Sequence, residues 1–306
     1  MTNSISKQRR AELLLLSVTV IWGSTFAISK FVLLYSTPLI YMSIRFFLAA
    51  GIVLVLFYKR VSVIPLSTYI KGSILGIFLF LGFALQTVGL QYTTASKSAF
   101  ITGLMVVLTP IVHAAVQRII KMEPKPLRVG NIVGVVCSVA GLYMLTSPKG
   151  SSFTIGDAMT LGCAFFFACY IVYLDFASGE PDKLQLTYVQ FWVCGILGLV
   201  SAWLLEDARI TFTGDLIVYI LYLTVFATII AMWVQNQVQG DITPTRAAVI
   251  FSIEGVFASI FAYFMLGEIL GTMGAVGASV ILVGMIISEF SDEIPLFGKT
   301  LNWNRK

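Results

Sequence analysis

Two stretches of the chain say nearly the same thing 149 residues apart. From Thr94 it reads TASKSAFITGLMVVLTPIV, and from Thr243 it reads TPTRAAVIFSIEGVFASIF. Thr94 falls on Thr243, Lys97 on Arg246, Ala99 on Ala248 and Ile101 on Ile250; a turn earlier, Gln86 falls on Gln235. Further on, Gly134 and Gly141 are spaced as Gly277 and Gly284 are. Both copies are apolar over the ~20 residues that a helix needs to cross a ~30 Å hydrocarbon layer. The chain therefore reads as a duplicated membrane domain. Duplicated membrane bundles commonly work as secondary transporters.

Composition closes off the soluble alternatives. Of 306 residues, 58% are hydrophobic and 11% charged, where a soluble domain carries about 25% charge. Mean hydropathy is +0.92. The net charge of +5 comes with no basic stripe interleaved with aromatics, so nucleic acid is excluded as a partner. Lys7, Arg9 and Arg10 precede an apolar run as in a signal peptide, but that run is too long for one and has no small-residue cleavage site. A retained first span is expected. Cys137, Cys163, Cys169 and Cys194 sit inside apolar runs without metal-ligand spacing and read as small hydrophobes, so no metal and no cofactor is expected.

Apolar runs of span length occur at Glu12–Leu34, Pro38–Phe57, Tyr69–Gln91, Ala95–Gln117 and Leu127–Leu145. A second set follows at Ile155–Leu174, Leu186–Leu204, Leu216–Val234, Arg246–Leu266 and Thr272–Ile287. The runs are continuous, not alternating, which predicts helices and not a barrel. The expected fold class is an all-α integral membrane protein of ten transmembrane helices in two five-helix repeats, residues 11–145 and 155–288, with a short cytoplasmic tail at 289–306.

Charge sets the orientation. With both termini cytoplasmic, fifteen of the 20 Lys and Arg lie inside, while Lys97, Lys149 and Arg209 fall in outside loops and Lys30 and Arg45 within spans. Five is odd, so the second repeat enters the membrane the other way up. The repeats are inverted, joined by a short turn-rich link from Thr146 to Ser152. Localisation in the cytoplasmic membrane is expected, with the lipid bilayer as surroundings. The pairs Gly72/Gly76 and Gly130/Gly134 predict close helix packing.

Ionisable groups within spans cost ~2.5–3.5 kcal/mol on insertion scales and so draw attention. Glu254 lies a span's half-depth from Arg246, and its repeat counterpart is Met105. It is either a titratable acid of a solute site or a neutral acid bridging helices. Arg45 has Gln190 as its counterpart. Since Arg keeps its charge, it needs a cavity, a carboxylate or a bound anion. Lys30, close to the outer end of its helix, reads as a snorkelling lysine.

Gln86 and Gln235 recur in both halves, which favours a shared structural role, whereas Asn236 matches Thr87 and is the better ligand candidate. His113, the only histidine, either relays protons or hydrogen-bonds at a helix interface. Trp22, Tyr41, Tyr170 and Trp192 are candidate cavity walls. No GxxxxGK[ST] loop is present, so ATP does not drive the chain, and no HExxH or GxSxG suggests an enzyme.

The segment TPTRAAVIFSIEGVFASIFAYFMLGE, Thr243 to Glu268, resembles the hallmark helix of EamA-type members of the drug/metabolite transporter superfamily. SKSAFITGLMVVLTPIV, Ser96 to Val112, resembles that family's fourth helix. Trp22-Gly23-Ser24 with Phe26 is similar to its first-helix motif, and Arg45 stands where its second helix often carries an arginine. Proline usually follows the glutamate matching Glu254; here Gly255 does, while Pro110 is kept in the fourth helix. The resemblance spans about residues 11 to 288. It implies a basket-shaped bundle around a central cavity that moves small metabolites, often outward.

The expected function is therefore a secondary active transporter of a small polar or amphipathic metabolite, amino-acid-like in preference, working as an exporter by alternating access. The expected substrate-binding set is Arg45, Glu254, Asn236, Trp22, Tyr41, Tyr170 and Gln190, with Glu254 and His113 open to proton or other ion coupling. The alternatives are a membrane-embedded enzyme, a sensory domain or a channel.

Overall fold

In lipid every backbone polar group must be bonded within its own segment, so long apolar runs become helices. The computed structural model of the chain describes residues 2–119, 128–146, 153–177, 182–238, 250–251 and 253–290. Lys121, Lys125, Lys149, Arg246, Lys299, Arg305, Lys306 and most of the expected link lie outside the described residues. The helices are α1 (Thr2–Val32), α2 (Pro38–Val61), α3 (Leu66–Gly89), α4 (Ala95–Gly103), α5 (Met105–Ile119) and α6 (Val129–Thr146). They continue with α7 (Ile155–Ala177), α8 (Lys183–Leu205), α9 (Gly214–Tyr222), a π-helical stretch Leu223–Ile230, α10 (Ala231–Val238), α11 (Glu254–Leu266) and α12 (Thr272–Glu289).

Eight stretches are long and apolar enough to cross a membrane, with α4–α5 and α9–π–α10 each counting as one. Two shorter apolar helices, α11 and most of α12, follow. Among the described residues there is no strand.

Small residues set the packing. Helices α6 and α12 cross through glycines: a Cβ on Gly141 would stand 2.6 Å from the Gly277 carbonyl oxygen, and one on Gly284 2.9 Å from that of Gly134. The contact is reciprocal, since Gly134 meets Gly284 just as Gly141 meets Gly277. The expected close approach at Gly72 and Gly76 is also present: their Cβ atoms would lie 2.8 Å and 2.7 Å from those of Val189 and Val193 on α8.

The fourth span is interrupted at Leu104, where Leu104 N bonds to Ile101 O and Val107 N to Leu104 O. An identical pattern recurs at Ile253, whose N bonds to Ile250 O while Val256 N bonds to Ile253 O. These positions are related by the 149-residue offset. Met105 begins α5 and Glu254 begins α11 just after the two breaks. Gly255, which stands where the resemblance calls for proline, lies against Phe100: a Cβ there would be 2.7 Å from the Phe100 ring.

Carboxylates tie off buried helix starts, whose first N–H groups lack partners within the helix. Gly267, at φ +67°, closes α11 in the left-handed conformation. The chain then turns so that Glu268 accepts from Ala95 N at 2.8 Å and from Ser96 N and Ser96 Oγ at 3.1 Å, capping α4. Glu206 accepts from Leu39 N in the same way at the start of α2.

Lys97 is not in an outside loop as expected. The polar break is only Leu90–Thr94, so Lys97 already lies in α4, buried, with its ammonium 4.0 Å from Asp157 of α7. Asp157 also accepts from the Thr93 hydroxyl and from Thr154 N. Lys30, part-buried in the last turn of α1, donates to the Thr93 carbonyl at 2.5 Å, so its tip is held by loop backbone. Asp157→Asn is expected to lower the melting temperature of detergent-purified protein by about 2–4 °C. Adding Lys97→Met should restore part of the loss, because the single variant leaves a buried ammonium unpaired.

Candidate functional site

Between α1, α2, α3, the α4–α5 break, α7, the π-helical stretch, α10 and the start of α11 lies a cavity with about 740 Å³ free of protein atoms, the solvent-open space at its mouth included. Its wall is mainly apolar, with six aromatic residues, Trp22, Phe26, Phe83, Phe167, Tyr170 and Phe251. Such a surface is typical of a small-molecule site in which a few polar groups fix orientation. Here those groups are Arg45, Gln86, Gln235 and Glu254, with the hydroxyls of Thr25 and Thr102.

The wall is built in matched halves. At a 145-residue offset, Trp22, Thr25 and Phe26 of α1 correspond to Phe167, Tyr170 and Ile171 of α7. At the 149-residue offset, Phe83, Gln86, Thr102 and Met105 correspond to Met232, Gln235, Phe251 and Glu254. Every one of these fourteen residues lines the cavity, and Arg45 lacks a lining counterpart. The two ionisable residues of the wall, Arg45 and Glu254, have no ionisable counterpart at the repeat offsets.

Arg45 is 5% exposed and two of its groups are committed to protein. Nε donates to Thr228 Oγ1 at 2.7 Å and Nη1 to the Tyr41 hydroxyl at 3.3 Å. Its guanidinium carbon stands 5.2 Å from the Phe83 ring centre and 5.7 Å from that of Phe46, both within cation–π range. No carboxylate within ion-pair distance accompanies it among the described residues. Glu254 is 8% exposed, lies in the first turn of α11 where a helix dipole favours an anion, and has no hydrogen-bond partner among the described residues. No ion pair joins the two. One fixed cation and one acid therefore face a single apolar cavity from different helices.

Trp22 closes one wall through Nε1, which donates to the Ala227 carbonyl at 3.0 Å, with its ring 5.6 Å from that of Phe251. Tyr170 donates to Gln190 Oε1 at 2.9 Å. Of the expected residues, Arg45, Glu254, Trp22 and Tyr170 line the cavity. Tyr41 and Gln190 do not. They are fully buried one layer behind it, each bonded to a residue that does line it.

The His113 ring stands edge-on to Phe176, 6.1 Å away and off the cavity wall. Trp192 is 36% exposed and packs with Phe47 and Tyr188. Asn236 lies in α10, and its side chain is outside the described residues. Gln86 and Gln235, expected to share a structural role, are also part of the cavity wall. Gln86 Nε2 donates to Thr102 Oγ1 at 3.1 Å.

Known proteins resemble this chain over most of its length. The model of the EamA-like transporter family matches twice, over residues 9–147 and 154–290. A protein of Archaeoglobus fulgidus named "Uncharacterized transporter" is 34% identical over 92% of this chain and 86% of its own length. A "Probable amino-acid metabolite efflux pump" of Salmonella typhimurium is 26% identical over 92% of this chain and 95% of its own. A solved crystal structure matches with a TM-score of 0.65 at 16% identity, covering 92% of this chain and 96% of that one, a likeness of fold alone.

Proposed function

The chain belongs to the EamA-like transporter family, and from that premise we propose that it exports a small amphipathic metabolite, amino-acid-like, as a secondary active transporter of the cytoplasmic membrane. On this reading ten helices form two inverted halves, residues 11–145 and 155–288, with both termini cytoplasmic. The single observation that carries it is the cavity wall, in which fourteen of the lining residues fall into repeat-related pairs. Two halves that contribute equivalent walls to one site can rock about it and expose it to either side in turn. The double match of the family model, the reciprocal glycine crossing and the matched breaks at Leu104 and Ile253 support the same division. Breaks beside a central cavity are also how membrane carriers expose helix ends to a solute.

The charges favour a zwitterion. Arg45 suits a carboxylate, Glu254 an ammonium, the glutamines can donate or accept, and the aromatic wall suits an apolar side chain. The name of the Salmonella relative points to the same class and to export.

A ligand-stabilisation screen of detergent-purified protein against amino acids, nucleosides, organic cations and organic acids tests this, because a ligand of the folded state raises the melting temperature with concentration. A saturable rise with apolar amino acids is expected; a response confined to another class would replace the amino-acid reading. Glu254→Gln is expected to weaken an amino acid by about tenfold, one charge-assisted bond, while leaving its N-acetyl derivative unchanged. Equal losses for both would remove Glu254 from ammonium recognition. Saturable uptake into vesicles separates the carrier from a channel.

A further inference from the structure

Arg45 is aimed by a feature present in only one half of the chain. Thr228, which accepts from Arg45 Nε, belongs to the π-helical stretch Leu223–Ile230. Its hydroxyl proton is already committed: Thr228 Oγ1 donates at 2.9 Å to the carbonyl of Leu223, five residues back, the spacing of a π-turn. With the proton turned that way, a lone pair is left to face the guanidinium.

The repeat accounts for the π-turns. The residues before helices α3 and α9, Pro65 and Thr213, are 148 apart, whereas Gln86 and Gln235 toward the other ends of these spans are 149 apart. The second half holds one more residue, and a π-turn absorbs one residue without ending a helix. The matching segment of the first half, 74–81, is regular α-helix. There Thr228 falls on Leu79 or Phe80, neither with a hydroxyl, and Arg45 falls on Gln190, so the arginine, its acceptor and the extra residue occur together.

We infer that Thr228 is a positioning residue for Arg45, and that the π-helical register of Leu223–Ile230 exists to set it. Thr228 on Nε and Tyr41 on Nη1 hold the guanidinium from two sides, leaving Nη2 without a protein partner among the described residues on a side chain that lines the cavity. Tyr41 is steadied by Ser29, whose hydroxyl lies 3.3 Å from its own. The value of this aim for transport rests on the reading of Arg45 as the carboxylate partner; the aim itself does not.

The test is nuclear magnetic resonance of arginine-labelled protein in detergent, with the Arg45 Nε–H signal assigned by its loss in Arg45→Gln. Wild type should give a discrete Nε–H signal protected from solvent exchange. Thr228→Val, matched in shape but with no acceptor, should lose that protection, and Thr228→Ser should keep it. Protection surviving in a folded Thr228→Val would overturn the inference, as would its loss in Thr228→Ser.

The second arm measures the affinities of L-leucine and L-leucinamide, which differ only in the carboxylate. Thr228→Val should weaken leucine about tenfold and leucinamide less than twofold, narrowing their ratio as Arg45→Gln does. If Arg45→Gln leaves that ratio unchanged while the Nε–H result stands, the carboxylate reading fails and the positioning role remains.

Discussion

Arg45→Gln is expected to abolish transport of a carboxylate-bearing solute, with an affinity loss of about 10- to 150-fold for the ~1.5–3 kcal/mol of a hydrogen bond to a charged group. It should do so without unfolding the protein. Arg45 is buried with no counter-ion among the described residues, so exchanging it for a neutral amide removes a desolvated charge. The melting temperature should hold or rise. A residue kept at a cost to folding is what an intramembrane functional site looks like.

Arg45→Lys should fail nearly as badly. An ammonium lacks the planar fork that reaches Thr228 and Tyr41 at once and still presents a third amine to the cavity. Solute binding by calorimetry, uptake by proteoliposomes and a melting curve together decide it. Uptake at the wild-type rate in Arg45→Gln would end the claim that this residue holds the solute. A steep loss of melting temperature would instead mark it as structural.

Gly277→Val should be the most damaging single change to folding. A Cβ there would lie 2.5 Å from Leu145 N and 2.6 Å from the Gly141 carbonyl oxygen. Both obstacles are backbone of α6, so no rotamer change relieves them; the crossing must separate. Overpacking a core costs ~1–3 kcal/mol where side chains can adjust, and a clash with backbone belongs at or above the top of that range. Gly51→Ala and Gly271→Ala are the controls, since nothing stands within 4 Å of either Cβ. Monodisperse yield and melting temperature should drop sharply in Gly277→Val and stay at wild type in both controls. A well-folded Gly277→Val would mean that the two helices are held by something other than close backbone contact.

The spans were legible because hydrophobic length is a hard constraint in lipid. Helices α2, α7 and α12 begin at Pro38, Ile155 and Thr272 as the apolar runs do, whereas α8 begins three residues before the expected Leu186 because Asp182 accepts from Leu184 N and starts the helix early. Arg45 and Glu254 were legible for the same reason: a charge in an apolar run is expensive. The cavity position of Gln86 and Gln235 was not legible, because recurrence at the repeat offset fits a helix-bridging amide and a wall residue alike, and Gln86 is both: it lines the cavity and bonds to Thr102. Thr228 was invisible, since a threonine in an apolar run is unremarkable until its helix is seen to run in π-turns. Lys97 was misplaced because its partner, Asp157, comes from the other half of the chain, at a distance in sequence that charge counting does not reach.

The crossing of α6 and α12 has a consequence for ancestry. Because Gly134 meets Gly284 as Gly141 meets Gly277, one helical surface, used twice, supplies both sides of the contact. Such a self-complementary patch is the mark of an isologous dimer interface. On the inverted-repeat reading, a five-helix chain bearing it would already own everything needed to close on an upside-down copy of itself. The present polypeptide is then a homodimer made permanent. Once its two subunits could no longer exchange places, each was free to acquire what the other lacks: an arginine in one, an acid and an extra residue in the other.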